Sequence, residues 1–420
     1  MIEIRDKKDC CGCSACAAIC PKQCITMQSD KQDFLYPFVE DSLCINCGLC
    51  EKVCPVLNVN EERTPLEIYA AKNLNEAVRM NSSSGGIFSL LAEYVIENKG
   101  VVFGAKINEC FDVVHDYTEI KEDIENFRTS KYVQSKIGDS FIRVKEFLVE
   151  GRLVLFVGTP CQIGGLKKFL RKEYENLITV DFICHGVPSP GVWRKYIEKK
   201  LRPLAADGEN MVLSLSLNLM PSMGINFRDK RIGWRKFGFV VQTKSVVKTD
   251  KIWSCRANNS KVLVHEVLQD NIYLRGFLQN ITLRPSCFKC AFRNFRSSSD
   301  ITLGDFWGIR RIHPQYDDDK GVSVFVVHRN KDFLNNLNYH KILVEHKDWN
   351  VIYNSNPSII YDVKRPLLYD KFWEKYPTLD IIENIKRHTN YSRKALIRAL
   401  RDKVLYKLGL YHYISKKISR

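Results

Sequence analysis

The chain has 420 residues, of which 45% are hydrophobic, and a formal net charge of +16. This length suggests two or three domains with substantial cores, and no apolar run approaches the roughly 18 residues that a membrane-spanning helix needs. The chain begins without a secretory signal pattern, so we expect a cytoplasmic protein rather than a small secreted domain stapled by disulfides.

The first 60 residues contain two copies of one cysteine pattern. In each copy three cysteines follow at intervals of three residues, a fourth comes four residues later, and a proline follows it. The copies are Cys10, Cys13, Cys16 and Cys20 before Pro21, and Cys44, Cys47, Cys50 and Cys54 before Pro55. This pattern is typical of two-cluster bacterial ferredoxins, in which the fourth cysteine of each run binds the other cluster. We therefore expect one 4Fe-4S cluster on Cys10, Cys13, Cys16 and Cys54, and a second on Cys44, Cys47, Cys50 and Cys20.

Zinc is the simpler alternative, because Cys-x2-Cys pairs also form tetrahedral thiolate sites. A zinc site would need only two cysteines from each half, whereas each half supplies four. The proline after the fourth cysteine prevents the chain from continuing as a helix. The complete repeat therefore favours iron and sulfur, in a ferredoxin-type domain of residues 1–60.

After a polar segment that begins near Val59, strand-like and helix-like patterns alternate. Predicted strands cover 101–105, 153–157 and 177–183. Predicted helices follow the serine-glycine segment 82–86, end at Gly151, run from about Ile163 to Tyr174, and pass through Trp193 and Ile197. Such alternation is typical of an α/β sheet. The expected fold class is α+β/α/β, with a small ferredoxin-like N-terminal domain, an α/β domain over 65–330, and an α-rich extension over 331–420.

Four further cysteines lie within the predicted α/β domain. Cys161 and Cys184 each come just after a predicted strand, where ligands of open α/β sheets bind, and Cys287 and Cys290 form a third Cys-x2-Cys pair. Together they suggest a third cluster. On spacing alone the alternatives stay open: a lone cysteine such as Cys184 after a strand is most often a buried small side chain, and Cys161 at a helix start could be a reactive thiol.

Several ordered motifs resemble those of the family of coenzyme F-420 hydrogenase/dehydrogenase beta subunits. They are SSSGG (82–86), GTPCQIGGLKKFL (158–170), DFICHGVPSPGVW (181–193), the Cys287-x2-Cys290 pair and DITLGDFWG (300–308). The resemblance covers about residues 65–330 and implies that this α/β domain is a flavin and iron-sulfur domain. It would hold FAD and a 4Fe-4S cluster, with Cys161, Cys184, Cys287 and Cys290 as cluster ligands. The resemblance further implies electron transfer between a deazaflavin or similar hydride carrier and iron-sulfur centres. Relatives include a plant chlorophyll-derivative reductase and domains linked to bacterial polysaccharide biosynthesis, so the family's activity is less uniform than its fold.

The resemblance also suggests residues for the flavin site. The loop of Ser82, Ser83, Ser84, Gly85 and Gly86 is expected to approach a diphosphate at a helix start, although an ordinary serine N-cap explains the same residues. Lys131, in SKYVQS (130–135), is a candidate to neutralise the reduced flavin or a phosphate; the alternative is a solvated surface lysine. His185 is a candidate proton donor beside the flavin, and its alternative is a structural role in a turn.

The C-terminal segment 386–420 is strongly basic, with eleven Lys/Arg against Asp402 alone. Ile397, Leu400, Val404 and Leu408 recur at helical spacing, which predicts a basic amphipathic helix for an anionic membrane surface or an acidic partner. We expect no nucleic-acid binding, because no recognised fold accompanies the charge. The expected partner is a redox protein or a hydride-carrying coenzyme. Alternative functions are a ferredoxin-fed reductase of a small organic substrate and a non-catalytic electron carrier or scaffold without flavin.

Overall fold

A computed structural model describes residues 1–204, 223–243, 245–249, 252–256, 261–329 and 349–390, together with Val404. The chain divides into two compact units, one formed by 1–194 and 283–364 and the other by 195–282 and 365–420. Within the described ranges, no helix has both the length and the apolar character needed to cross a membrane. The domain boundaries 1–60, 65–330 and 331–420 stay predictions.

The strands are β1 (Ile25–Ser29), β2 (Leu35–Val39), β3 (Glu67–Ala71), β4 (Val101–Ile107), β5 (Val113–Thr118), β6 (Val154–Val157), β7 (Leu177–Phe182), β8 (Met223–Asp229), β9 (Gly238–Thr243), β10 (Ser245–Thr249), β11 (Ile252–Arg256), β12 (Val262–Val267), β13 (Ile301–Asp305) and β14 (Ser323–Val327). The helices are α1 (Ala15–Ile19), α2 (Leu49–Lys52), α3 (Glu76–Met80), α4 (Ile87–Glu97), α5 (Ile124–Phe127), α6 (Ser140–Val149), α7 (Pro160–Leu170), α8 (Pro190–Leu201), α9 (Ile272–Leu278), α10 (Ile309–Ile312), α11 (Trp349–Ser355), α12 (Tyr369–Lys375) and α13 (Ile381–His388).

The first unit is built on a seven-stranded mixed sheet with the order β3-β14-β13-β7-β6-β4-β5. Its four central strands, β13, β7, β6 and β4, are parallel, and β14 and β5 flank them in antiparallel pairing. The prediction of an α/β class is therefore confirmed. The predicted strands at 101–105, 153–157 and 177–183 are the central strands β4, β6 and β7, whose continuous apolar runs suit a sheet covered on both faces.

Alternate residues of the central strands enter two separate cores. Phe103 and Phe156 pack with helices α6 and α7, whereas Val102 and Leu155 pack with helix α4 on the other face. This alternation is the two-residue period of a strand that is buried on both sides. The sheet is thereby fixed between two layers of helices, and the carboxyl ends of β6 and β7 are left free to carry functional loops.

Helix α7 begins three residues earlier than predicted and ends four residues earlier. Thr159 is its N-cap and forms a capping box with Gln162, and Pro160 occupies the first turn. Arg171 ends the helix in the left-handed conformation, with φ of 60°. A capping box and a proline in the first turn both favour a helix start at this point. Cys161 therefore lies inside the first turn of α7 rather than in a loop before the helix.

The N-terminal segment contains the antiparallel pair β1 and β2 and the short helices α1 and α2. It packs against the α6 and α7 face of the sheet, because Cys13 and Ala15 share one core with Phe141 and Ile163. The polar segment after Val59 is tied down: the amide of Asn60 donates to Ser298 Oγ at 2.9 Å. The N-terminal segment and the mixed sheet thus belong to one compact unit.

The second unit contains a three-stranded sheet of order β12-β9-β8. Tyr196, from the last turns of α8, packs with Phe239 and Tyr273 at ring separations of 5.9 and 5.1 Å. Helices α12 and α13 are joined by a hydrogen bond of 3.0 Å from the Asn384 amide to the Phe372 carbonyl. The predicted basic amphipathic helix lies outside the described residues, apart from Val404, and stays a prediction.

Candidate metal centres

A cavity of about 20 Å³ in the N-terminal segment, which we call the second cavity, is lined by the four cysteines predicted for the second cluster. Cys44, Cys47 and Cys50 come from the second run, and Cys20 reaches the same cavity from the first run. Cys47 is exposed whereas Cys50 is buried. Cys20 of the first run thus lies beside the cysteines of the second run. The exposure of Cys47 places this group close to solvent.

The first predicted group surrounds Cys16. Burial raises the pKa of the Cys16 thiol to about 12, and the charges of Cys10 and Cys54 act in the same direction. An electrostatic effect of this kind requires the sulfurs to be close, so Cys54 lies beside the first run. Cys50 of the second run acts on Cys16 in the same direction, so both Cys50 and Cys54 lie near the first run, and the exchange of fourth ligands stays a prediction.

The third cysteine group meets in a larger cavity of about 60 Å³, which we call the third cavity after this group. Cys161, Cys184, Cys287 and Cys290 all line it. The pKa of the Cys184 thiol is raised well above its usual value, first by burial and then by the charges of the other three cysteines. Segments separated by more than 120 residues therefore converge on one space.

The fold explains this convergence. Strands β6 and β7 are parallel neighbours, so Cys161 and Cys184 follow the same edge of the sheet. The segment of Cys287 is held beside the loop after Cys184, because the Arg284 amide donates to the Val187 carbonyl at 3.0 Å. The amide of Cys290 donates to Asp362 Oδ1 at 2.9 Å, which fixes the second half of the pair.

The thiols of this group must release their protons when metal binds. Burial is the largest cause that raises the pKa of the Cys287 thiol to about 12. A thiol with such a pKa is protonated at neutral pH, and it becomes a ligand only as the thiolate. The donor set is therefore four soft sulfur ligands around one cavity, which suits a cluster with thiolate ligation.

The spacing of the cysteines also bears on the zinc alternative. In the described ranges, no three histidine, cysteine or carboxylate side chains are arranged to hold a single metal ion. A zinc ion with Zn–S distances of about 2.3 Å would need its sulfurs within about 4 Å of one another. A four-iron cluster holds the sulfurs further apart, because each binds a different corner.

Two cysteines beside these groups were not predicted from the sequence. Cys11 lines the third cavity, and its thiol interacts with those of Cys13 and Cys161. Cys24 lines the second cavity, with its Sγ 3.3 Å from Cys20 Sγ. The only sequence signal for Cys11 and Cys24 was their position close to the first cysteine run. That position does not indicate which other sulfur atoms they will contact in the folded protein.

Two buried arginines at the third cavity were also missed. Arg284 and Arg293 line the cavity, and each lies three residues from a cysteine of the Cys287-x2-Cys290 pair. Arg293 Nη1 donates to the Cys184 carbonyl at 2.8 Å, and its Nε lies 3.5 Å from Asp362 Oδ1. Basic residues flanking a cysteine pair were a usable signal, because anionic clusters favour nearby cations.

A buried acid borders the same cavity. Asp181 on β7 accepts hydrogen bonds from the hydroxyls of Ser297 and Thr302, and burial raises the pKa of its carboxyl to about 6. His328 Nε2 lies 2.9 Å from Thr302 Oγ1. Because the threonine hydroxyl donates to Asp181, the histidine donates to the threonine, which leaves its Nδ1 without a proton.

The loop predicted for the flavin has structural partners for each serine. Ser82 Oγ donates to the Val78 carbonyl at 2.7 Å, and Ser84 Oγ donates to the Val322 carbonyl at 3.1 Å. Ser83 Oγ accepts from the Ser130 amide at 2.8 Å, so the loop is joined to the segment that contains Lys131. These residues are not among those that line the third cavity, and their flavin role stays a prediction.

Close backbone approach accounts for one glycine of this loop. A Cβ on Gly85 would lie 2.3 Å from the Ala71 carbonyl oxygen, a distance that no side chain tolerates. Gly86 is the N-cap of α4 in the left-handed conformation, with φ of 82°. The pair therefore lets the chain pass the end of β3 and turn into α4, as the predicted helix start requires.

The two candidate catalytic residues lie in different places. Lys131 Nζ donates to the carbonyls of Asn126 and Arg128, at 3.0 and 2.5 Å, at the end of α5. His185 follows Cys184 directly and lines the third cavity. The structure thus brings His185, but not Lys131, to the cavity of the third cysteine group.

Two protein families match the chain. Residues 9–58 match a 4Fe-4S dicluster domain, and residues 151–346 match the family described as the C terminus of the coenzyme F420 hydrogenase/dehydrogenase beta subunit. The coenzyme F420-dependent sulfite reductase of Methanocaldococcus jannaschii is 28% identical over 189 residues, which are 44% of this chain and 29% of the relative.

Two further similarities concern proteins of Methanosarcina. The F component of the F(420)H(2) dehydrogenase of Methanosarcina mazei is 25% identical over 184 residues, which are 41% of this chain and 51% of the relative. The chain thus spans about half, or less, of the length of these two curated relatives. A chain of the F420-reducing [NiFe] hydrogenase complex from Methanosarcina barkeri has a TM-score of 0.42 at 13% identity, and the match covers 71% of this chain and 90% of that one.

Proposed function

Since the chain is a member of the family of coenzyme F420 hydrogenase/dehydrogenase beta subunits and carries a 4Fe-4S dicluster domain, we propose that it is an iron-sulfur flavoprotein oxidoreductase. It transfers electrons between a hydride carrier of the coenzyme F420 type and a redox partner protein, by way of FAD and three 4Fe-4S clusters. The observation that carries this proposal is the third cavity, in which four cysteines from distant segments meet Cys11 of the N-terminal segment.

The packing supports a continuous route for electrons. Cys13 of the first group and Ile163 of α7 belong to one core, and Cys161 packs against that core. The third cysteine group and the first group are therefore held together in one compact unit. The second group, with its exposed Cys47, is the natural exit toward a partner protein, because electrons must reach a surface to leave the molecule.

The loop 82–86 and the segment 130–135 are the candidates for holding FAD. When bound, FAD supplies the conversion between a two-electron hydride and single electrons. The Ser130 amide donates a hydrogen bond of 2.8 Å to Ser83 Oγ, so these two family-like motifs are in direct contact. The start of α4 offers backbone amide groups and a positive helix end for a diphosphate.

His185 and Lys131 have distinct proposed roles. His185 lies at the third cavity beside Cys184, where an imidazole can hold or release the proton that accompanies hydride transfer. Lys131 acts on the flavin side through its charge, since its ammonium is fixed by two carbonyl oxygens at the end of α5. A role for Lys131 through charge alone does not require contact with the iron-sulfur centres.

The test is the content of metal and flavin after strictly anaerobic purification. We expect about twelve irons and one FAD per chain, and bleaching of the flavin when reduced coenzyme F420 is added. About eight irons without flavin would overturn the proposal and favour an electron carrier on an α/β scaffold. Twelve irons with FAD that no F420-type donor reduces would instead favour a reductase supplied with electrons through the ferredoxin-type segment.

A further inference from the structure

Arg284 connects the N-terminal segment to the third cysteine group. Its side chain is fully buried, with 0% exposure, and it lies three residues before Cys287. Its Nε donates to the Cys10 carbonyl at 2.8 Å and its Nη2 to the Leu35 carbonyl at 2.9 Å. Its Nη1 donates to Gln134 Oε1 at 3.0 Å. One guanidinium therefore holds the loop of the first cysteine run, the start of β2 and the α/β domain together.

The space around this side chain is closed on several sides. The guanidinium lies over the Tyr36 ring at 4.2 Å from its centre. A Cβ on Gly12 would lie 2.8 Å from Arg284 Nη1, so the glycine in the first cysteine run makes room for it. These contacts fix the guanidinium between the first cysteine run and the third cavity. Arg284 is also one of the residues that line the third cavity.

The hydrogen-bond partners of Arg284 are neutral. In the part of the chain that the structure describes, its three acceptors are two backbone carbonyls and one side-chain amide, and none is a carboxylate. A buried cation without a counter-charge is strongly unfavourable. The structure must therefore supply a negative charge by other means.

The cysteine sulfurs are the candidates for that charge. Arg284 donates to the carbonyl of Cys10 in the first run, and it lines the same cavity as Cys11 and Cys287. The phenol of Tyr36 is itself kept neutral, because burial raises its pKa. A 4Fe-4S cluster with four thiolate ligands carries a net charge of about −2 when oxidised, which matches the missing counter-charge.

We propose that Arg284 is a shared counter-ion for the first N-terminal cluster and the third cluster, and that it raises the reduction potential of both. Reduction adds one negative charge to a cluster, and a fixed cation in a water-poor interior stabilises that added charge. The inference rests on the proposed third cluster. Arg284 is a positioning residue in this view, because it acts on the potentials of the centres and not on a substrate.

Arg293 provides a matched comparison. It is also buried at the third cavity, but its charge is accompanied by Asp362, whose Oδ1 lies 3.5 Å from its Nε. It also donates hydrogen bonds to the carbonyls of Cys184 and Ser358, both of which lie outside the first cysteine run. Arg293 should therefore influence the third cluster alone.

The experiment is a redox titration of the loaded protein followed by electron paramagnetic resonance, with Arg284→Met, Arg284→Lys and Arg293→Met. In Arg284→Met the equilibrium constant for reduction should fall at least tenfold at both the first and the third cluster, which is 59 mV for a one-electron couple. The second cluster, on Cys20, Cys44, Cys47 and Cys50, should keep its potential. Arg284→Lys keeps the charge and should show less than half of either shift, and Arg293→Met should shift the third cluster alone.

Unchanged potentials in fully loaded Arg284→Met would overturn the inference, as would equal shifts in the methionine and lysine variants. If Arg284→Met does not retain iron, Arg284→Lys becomes the test of the inference. An Arg284→Lys protein with its full iron content and potentials near those of the wild type supports a role of Arg284 through its charge, whereas loss of iron from Arg284→Lys contradicts that role. The wild-type iron content separately tests the third cluster, so eight irons there would reject the proposed function, while a shift at the first cluster would still be measurable.

Discussion

The chain has sixteen cysteines, and those whose side chains the structure describes differ in the surroundings of their sulfur atoms. Spacing predicted the eight N-terminal candidates, and the structure gathers Cys20 with the second run as the repeat requires. Spacing did not predict Cys11 at the third cavity or Cys24 beside Cys20. A repeat identifies residues that share a pattern, whereas the approach of an extra thiol depends on how separate segments pack.

The buried histidine His328 provides a prediction at the same scale. Burial, assisted by the charge of Arg63, lowers its pKa to about 3, while in the unfolded chain it titrates near pH 6.5. The unfolded state therefore binds a proton that the folded state does not as the pH falls below 6.5. The stability that this histidine contributes is complete above pH 6.5 and is lost as the pH falls toward 3.

His328→Gln keeps an N–H donor for Thr302 Oγ1 and removes the titration. We expect the free energy of unfolding to fall less steeply with decreasing pH, by about 1.4 kcal/mol per pH unit between pH 4 and 6. Denaturant unfolding of the anaerobic protein at several pH values measures this slope. His115, whose pKa burial lowers to about 4, is present in both proteins, so some slope should remain. Parallel curves for the two proteins would contradict the prediction.

At the scale of elements, helix α7 shows how a helix face is adapted to the N-terminal segment. A Cβ on Gly165 would lie 2.9 Å from Cys13 Sγ, and a Cβ on Gly164 would lie 2.6 Å from the Phe292 ring. Glycines inside a helix ordinarily reduce stability. Their presence here is explained by the close approach of the first cysteine run and of Phe292.

Gly165→Ala tests this explanation. Helix propensity alone would stabilise the protein by about 0.5–1 kcal/mol, but displacement of Cys13 should instead destabilise it by about 1–3 kcal/mol. The iron of the first cluster should also decrease, as measured by metal analysis and denaturant unfolding. Lys168→Ala in the same helix is the control and should change stability by less than about 0.5 kcal/mol. A stabilised Gly165→Ala protein with full iron would show that the contact is unimportant.

Helix and strand positions were largely predictable, because amphipathic periods and buried apolar runs are local properties. The predicted helix start after segment 82–86 and the strand after Gly100 are confirmed as α4 and β4. The predicted limits of α7 were wrong, because a capping box determines where the helix begins and the left-handed conformation of Arg171 determines where it ends. The hydrogen bond that joins Ser83 to Ser130 was also beyond sequence reasoning, because it links residues 47 positions apart.

At the scale of the whole molecule, the third cysteine group depends on topology. Cys161 and Cys184 follow neighbouring parallel strands, and Cys287 and Cys290 arrive from a segment that precedes β13. The group also lies against the N-terminal segment through Cys11. In the proposed function, one compact unit thereby connects the third cluster to the ferredoxin-type centres.

Cys287→Ala tests this connection. It should remove about four irons and leave the two N-terminal clusters in place. Flavin reduction by the hydride donor should remain, while reduction of the N-terminal clusters should slow at least tenfold, as followed by anaerobic stopped-flow spectroscopy. Cys110→Ala, at an exposed cysteine, is the control and should change neither quantity. Unchanged iron content in Cys287→Ala would reject the third cluster.

The amino-acid sequence by itself determined the chemistry that this protein can hold. Spacing of soft ligands along the chain specifies the two-cluster repeat, and local periodicity specifies the α/β alternation, since both are properties of neighbouring residues. Only the tertiary structure decided that Cys11 and Arg284 lie between the first and third cysteine groups. That outcome depends on segments more than 270 residues apart, and their contact is set by the packing of α7, the sheet and the N-terminal segment rather than by any local pattern.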